Sequence, residues 1–92
     1  LKTVNEELKE ATDKVEEETT KFEQNPKQKT SLDFRYITEN IETYLETLNS
    51  LLNQTKNTKL QKNIKDKIKY YKKKKKNYLT NTTSNNQKLL NK

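Results

Sequence analysis

Lysines in the second half of the chain are the residues whose type and spacing most clearly suggest chemistry. Five consecutive lysines occupy positions 72–76, and other lysines precede them at intervals of two or three residues. If this stretch is helical, six of the side chains fall within about 100° of arc around the helix axis. These six candidate binding residues are Lys62, Lys65, Lys69, Lys72, Lys73 and Lys76.

Six ammonium groups in one stripe repel one another, and each like-charged neighbouring pair costs about 0.3 kcal/mol. An acidic partner would relieve this repulsion, and the candidates are nucleic acid, a sulfated glycan, an anionic lipid surface and an acidic patch on a protein. A solvated basic face without a partner is the alternative interpretation. Arg35 is the only arginine. This disfavours base-specific recognition, since Arg makes the commonest specific base contact.

Three tyrosines accompany the lysines. Tyr71 and Tyr78 are in phase with the apolar residues of the stretch, which predicts packing in the core. Tyr70 lies off the apolar arc beside the lysines. We include it among the candidate binding residues, and a half-exposed tyrosine against a neighbouring helix is the alternative. Lys75 points toward the apolar side, where its aliphatic stem can lie along the core.

The composition excludes several kinds of functional site. The 92 residues include no Cys, His or Gly, which excludes a soft-metal site, a thiol nucleophile and a Gly-rich phosphate loop. The Ser, Thr and Tyr hydroxyls have no histidine to activate them. We therefore predict no enzymatic activity, no cofactor and no metal. Acidic residues near the start predict a solvated helix face: Glu6, Glu7, Glu10, Asp13, Glu16, Glu17 and Glu18.

Charge is distributed unevenly along the chain. Residues 1–50 carry seven basic and twelve acidic groups, whereas residues 51–92 carry thirteen basic groups and one acid, Asp66. A strip of Glu39, Glu42 and Glu46 lies beside the apolar arc of the second predicted helix. This strip is placed to pair with lysines of the third helix, although exposed pairs contribute little each.

Apolar residues recur at intervals of three and four in three blocks, which predicts helices near 3–24, 31–54 and 58–79 or longer. Thr3, Ser31 and Thr58 are the expected N-terminal capping residues. Pro26 ends the first helix, because the residue before a proline is pushed out of the helical region. The polar tail 80–92 either continues the third helix or folds back; an extended third helix would leave an open arm or an oligomer seam.

Short links between helices of similar length favour antiparallel neighbours. The predicted fold is therefore all-α, an antiparallel three-helix bundle that forms one domain over residues 1–92. No run approaches the roughly 20 apolar residues of a membrane span. The oligomeric state stays open. The residues expected in the core are Val15, Ile37, Ile41, Leu48, Ile64 and Ile68.

The chain is rich in Lys, Asn and Thr, contains no Cys and begins with Leu rather than Met. We interpret it as a mature, cleaved or trimmed chain. With its long charged segments, such as Leu8 to Phe22 and Lys67 to Leu79, it resembles the helical outer-surface lipoproteins of spirochaetes. It is less similar to the helical merozoite surface antigens of malaria-type parasites. The first resemblance implies a non-enzymatic protein that binds host plasma, complement or matrix components.

The sequence thus predicts a secreted or cell-surface helical protein that binds a host macromolecule partly through its lysine-rich helix. The host macromolecule would be an acidic protein or a polyanion such as a sulfated glycan. A basic helical protein that binds nucleic acid or an anionic membrane surface is the alternative. Binding to a polyanion predicts a steep fall of affinity with salt, because condensed counterions are released.

Overall fold

The computed structural model describes residues 2–26 and 29–90, with side chains as far as Thr80 in the last helix. The described chain forms three α-helices and no β-strand. The helices are α1 (Val4–Gln24), α2 (Ser31–Gln54) and α3 (Thr58–Leu90).

Aromatic contacts show how the helices run. Phe22 near the end of α1 meets Phe34 near the start of α2, with ring centroids 5.2 Å apart. Tyr44 in the middle of α2 meets Tyr71 of α3 at 4.9 Å. Consecutive helices are therefore antiparallel, and α1 runs parallel to α3. The predicted all-α antiparallel three-helix bundle is confirmed.

The caps explain where the first two helices begin. The Thr3 hydroxyl accepts a hydrogen bond from the Glu6 backbone N–H at 3.2 Å, as predicted. The cap of α2 is Thr30, and the prediction of Ser31 was wrong by one residue. Thr30 Oγ1 accepts from the Asp33 N–H at 3.2 Å, and Asp33 Oδ2 accepts from the Thr30 N–H at 2.9 Å. This reciprocal pair requires an acceptor side chain three residues after the cap. Asp33 provides it for Thr30, whereas the residue three positions after Ser31 is Phe34.

The start of α3 also differs from the prediction by one residue. Asn57, rather than Thr58, accepts a hydrogen bond from the Leu60 backbone N–H, at 3.1 Å from its Oδ1. The Gln61 side chain donates to the carbonyl oxygen of Thr55 at 2.8 Å, and so closes the link between α2 and α3. An Asn side chain caps a helix at least as well as a Thr hydroxyl.

Helix α3 continues through the polar segment after Leu79 and ends at Leu90. The segment 80–90 therefore belongs to the helix and does not fold back; residues 91 and 92 of the predicted tail lie outside the described residues. Asn, Ser and Thr cost only about 0.5 kcal/mol per residue in a helix, relative to Ala.

The core lies where the apolar stripes of the three helices meet. Five of the six predicted core residues are buried, and Ile68 is only partly buried against the cluster. Ile68 lies toward the outer edge of the apolar arc of α3, and its neighbour one turn earlier, Ile64, takes the central position. No helix within the described residues is both long and apolar enough to cross a membrane.

Helix α2 is the centre of the bundle. Its backbone packs against both α1 and α3, whereas no Cα atoms of α1 and α3 within the described residues approach within 8 Å. Side chains bridge α1 and α3 near the end of α1, where Phe22 and Tyr78 have ring centroids 5.1 Å apart. A cleft lies between these two helices, from Thr12 to Glu23 of α1 and from Asn63 to Lys74 of α3.

Candidate functional site

Packing divides the five-lysine run into two groups. Lys74 Nζ lies 2.8 Å from Glu23 Oε1 of α1, and Lys75 Nζ lies 2.6 Å from Glu42 Oε1 of α2. The two lysine side chains are only 20% and 27% exposed. Each lysine therefore ties α3 to a different helix. The predicted pairing of the Glu39, Glu42 and Glu46 strip with α3 occurs at Glu42.

The other lysines of the run, Lys72, Lys73 and Lys76, point away from the bundle. They share the outer face of α3 with three lysines of the preceding turns, and all six are exposed. None of the six forms an ion pair with a described carboxylate. The face extends about 21 Å along the helix axis. We call this face the lysine ridge: Lys62, Lys65, Lys69, Lys72, Lys73 and Lys76.

Tyr70, the seventh predicted site residue, lies beside the ridge and not on it. Its side chain is 57% exposed. The ring packs edge-on against Tyr71 at 4.9 Å between centroids, and Lys74 Nζ lies 5.7 Å from its centroid. Tyr70 also lines the cleft between α1 and α3. It therefore forms the border between the ridge and the cleft.

Glu23 is a structural residue that sequence reasoning missed. Besides Lys74, the Tyr78 hydroxyl donates to Glu23 Oε1 at 2.7 Å. These hydrogen bonds, from Lys74 first and Tyr78 second, lower the pKa of Glu23. Burial and the nearby Glu23 carboxylate raise the pKa of Tyr78. We call these three residues the α1–α3 clamp.

The pKa of Lys74 records two opposing influences. Partial burial lowers it, but the hydrogen bond and charge of Glu23, together with Tyr70, raise it by more, so the net shift is upward. Lys74 is thus held as a cation inside the clamp. No local sequence signal marks Glu23, because its contact with α3 depends on how α1 and α3 align across 51 residues of chain.

The cleft between α1 and α3 has a volume of about 540 Å³ and a mostly polar lining. At its floor, burial in the first place, together with the neighbouring Tyr44 and Glu16, raises the pKa of Tyr71 to about 12. The Thr12 and Tyr44 hydroxyls share a hydrogen bond of 2.7 Å nearby. The charged residues that line the cleft are Glu16, Glu23, Asp66, Lys67 and Lys74.

The acidic residues of α1 lie largely on its exposed face, as the sequence predicts. Two of them form ion pairs, one with a lysine of α1 and one with a lysine just before the helix. Glu10 pairs with Lys2, and Glu17 pairs with Lys21. Among the described residues, no three His, Cys, Asp or Glu side chains are arranged to hold a metal ion. The groups that the ridge exposes are six ammonium groups, which attract negative charge.

No protein-family model matches the chain. A search of curated proteins and one of solved structures likewise find no match.

Proposed function

We propose that this protein is a non-enzymatic binding module that engages an acidic host macromolecule through the lysine ridge. The partner would be a plasma, complement or matrix protein, or a sulfated glycan. The module would act at a cell surface or after secretion, which is the setting that the spirochaete-type resemblance implies.

The proposal rests on one observation. The lysines that face the bundle form ion pairs with glutamates, whereas the lysines of the ridge do not. Lys74 and Lys75 each meet a glutamate of another helix. Lys73 and Lys76, their immediate neighbours, meet none among the described residues. Internal ion pairing does not account for the six unpaired ammonium groups on the opposite face. Their mutual repulsion destabilises the helix, and an acidic partner would relieve it.

The ridge is suited to attracting a partner at a distance. Its charges sit on one rigid helix, so their potentials add along a line. Electrostatic attraction of this kind accelerates association more than it increases final affinity. Lysine ammonium groups are compact point charges without the bidentate geometry of Arg. This favours recognition of charge density over recognition of particular bases.

The test is a charge reversal on the ridge. Lys69→Glu, Lys72→Glu and Lys73→Glu in one variant should leave the helical content unchanged, because all three side chains are exposed. We expect binding to a heparin oligosaccharide to weaken about tenfold or more at 0.15 M salt, with a shallower salt dependence by about 2–3 in log–log slope. Fluorescence anisotropy across a salt series measures both quantities.

A matched control reverses three exposed lysines elsewhere: Lys9→Glu, Lys14→Glu and Lys56→Glu. This variant has the same net charge as the ridge variant, so any difference between them comes from position. Equal binding by the ridge variant and the parent chain, with an unchanged salt slope, would show that the ridge is only a solvated face. A pull-down from serum and matrix extract with the same three proteins identifies protein partners.

A further inference from the structure

The shape of the ridge restricts what can bind it. The six lysines all come from one helix and lie within about 100° of its circumference. The strip is therefore no wider than a single helix, about 10–12 Å. The two surfaces on either side of it belong to α2 and to the cleft with α1.

The α2 side of the ridge carries no excess positive charge. Glu42 pairs with Lys75 at 2.6 Å, which places the acidic strip of α2 directly beside α3. Glu39 pairs with Arg35 at 3.1 Å, and Glu46, one turn after Glu42, pairs with no described cation. Three carboxylates thus face two cations on this flank.

The cleft side has the same balance. Glu23 is neutralised by Lys74 at 2.8 Å. Glu16 and Asp66 also line the cleft, where Lys67 is the other cation. Again three carboxylates face two cations. The ridge is therefore bordered on each side by a surface that carries carboxylates without an ion pair among the described residues: Glu46 on α2, and Glu16 and Asp66 at the cleft.

Both flanks are close enough to affect binding. Packed helices lie about 8–10 Å apart, and the Debye length at 0.15 M salt is about 8 Å. A broad anionic ligand that covers the ridge and both flanks would meet the unpaired carboxylates Glu16, Glu46 and Asp66 as well as the lysines. A single narrow chain laid along the middle of the ridge would lie closer to the six lysines than to these carboxylates.

We propose that the ligand of the ridge is one linear sulfated polysaccharide chain lying along α3, and that the two acidic flanks exclude flat membranes and double helices. This inference rests on the proposed function and names its ligand class. A single nucleic-acid strand is the less suitable chain. Such strands gain much of their affinity by stacking bases on aromatic rings. The ridge has none, and Tyr70 packs toward the cleft against Tyr71.

The experiment compares four probes on the full chain at 0.15 M salt. They are a size-defined heparin oligosaccharide, a single DNA strand, a DNA duplex of the same length, and vesicles containing phosphatidylserine. We expect the heparin oligosaccharide to bind at least tenfold more tightly, per probe molecule or accessible lipid, than each of the other three.

A second variant tests the flanks. Glu16→Gln, Glu46→Gln and Asp66→Asn together remove the unpaired carboxylates and leave the three ion pairs of the flanks in place. We expect vesicle and duplex binding to rise about threefold to tenfold, since anionic surfaces attract nearby positive charge. Heparin binding should change less than twofold. The control Glu6→Gln, Glu7→Gln and Asp13→Asn has the same net charge but changes α1 away from the ridge.

The outcomes separate this inference from the proposed function. The role of the flanks would be overturned if vesicles or the duplex bound as tightly as heparin. It would also be overturned if the flank variant and its control behaved alike. A single DNA strand bound as tightly as heparin would overturn the assignment to a polysaccharide. In each case the proposed function would stand if the ridge reversal still abolished binding. If that reversal left all binding intact, the proposed function itself would fail.

Discussion

On helix α3, Lys74 and Lys75 face the bundle, whereas their neighbours Lys73 and Lys76 face away from it. The inner pair is largely covered and meets Glu23 and Glu42, while the outer pair is exposed. One residue type in one short run therefore has a structural role on one face of the helix and is exposed to solvent on the other. Helical periodicity alone makes this division, because a step of one residue rotates the side chain by about 100°.

The largest expected contrast between the two faces concerns stability. Ile64 on the inner face is fully buried, and its neighbour Lys65 belongs to the ridge. Ile64→Ala should lower the free energy of unfolding by about 2–5 kcal/mol, since it removes buried methyl groups and leaves a cavity. Lys65→Ala should change it by about 0.5 kcal/mol or less. Urea unfolding measures both, and equal losses would contradict the assignment of the two faces.

Weakening the clamp should cause a smaller loss of stability, and this loss should depend on pH. Glu23→Gln weakens the hydrogen bonds to Lys74 and Tyr78, and should cost about 1 kcal/mol at pH 7 because the carboxylate is half exposed. The pKa of Glu23 is lowered below its ordinary value of 4.5. Its contribution is therefore complete above pH 4.5 and is lost as the pH falls through the lowered pKa.

The pH dependence is measured by urea unfolding of the parent and variant between pH 7 and pH 3. The difference in stability should narrow as the medium becomes acidic. Glu17→Gln, which affects an exposed pair within α1, is the control. A difference between parent and Glu23→Gln that stayed constant over this range would show that the ionised carboxylate does not stabilise the clamp.

The smallest stability effect is expected from neutralising one lysine on each face of α3. Lys74→Gln should lower the free energy of unfolding by about 0.5 kcal/mol through loss of its ion pair with Glu23. Lys73→Gln should raise stability by a few tenths of a kcal/mol at most, because it removes repulsion from Lys69 and Lys76. It should weaken heparin binding by a few-fold. Thermal unfolding and anisotropy on the same two samples give the comparison. Reversed effects would mean that the inner and outer roles are assigned the wrong way round.

Much of the fold could be predicted from local pattern. The heptad spacing around Ile37, Ile41 and Leu48 indicated a core helix, and all three residues are buried. The exposure of the six ridge lysines followed from the same periodicity. The caps at Thr30 and Asn57 were missed by one residue, because adjacent polar residues offer similar acceptors and geometry decides between them.

The α1–α3 clamp and the charge balance of the cleft flank could not be predicted. Both depend on where Glu16 and Glu23 of α1 lie against α3. Periodicity identifies the face of a helix that is buried, but it does not fix the position of one helix along another. The final partners of Lys74 and Lys75 therefore required the three-dimensional arrangement.

The separation of the α1 and α3 backbones has a consequence for local motion. The backbone of helix α1 packs against α2 alone, and only side chains connect it to α3, through the core, the clamp and the ring of Phe22. Its amide protons should therefore exchange with solvent through an opening that costs less free energy than global unfolding. In that opened state the hairpin of α2 and α3 would still present every lysine of the ridge. A ligand of the ridge would then still bind while α1 is detached from the other two helices.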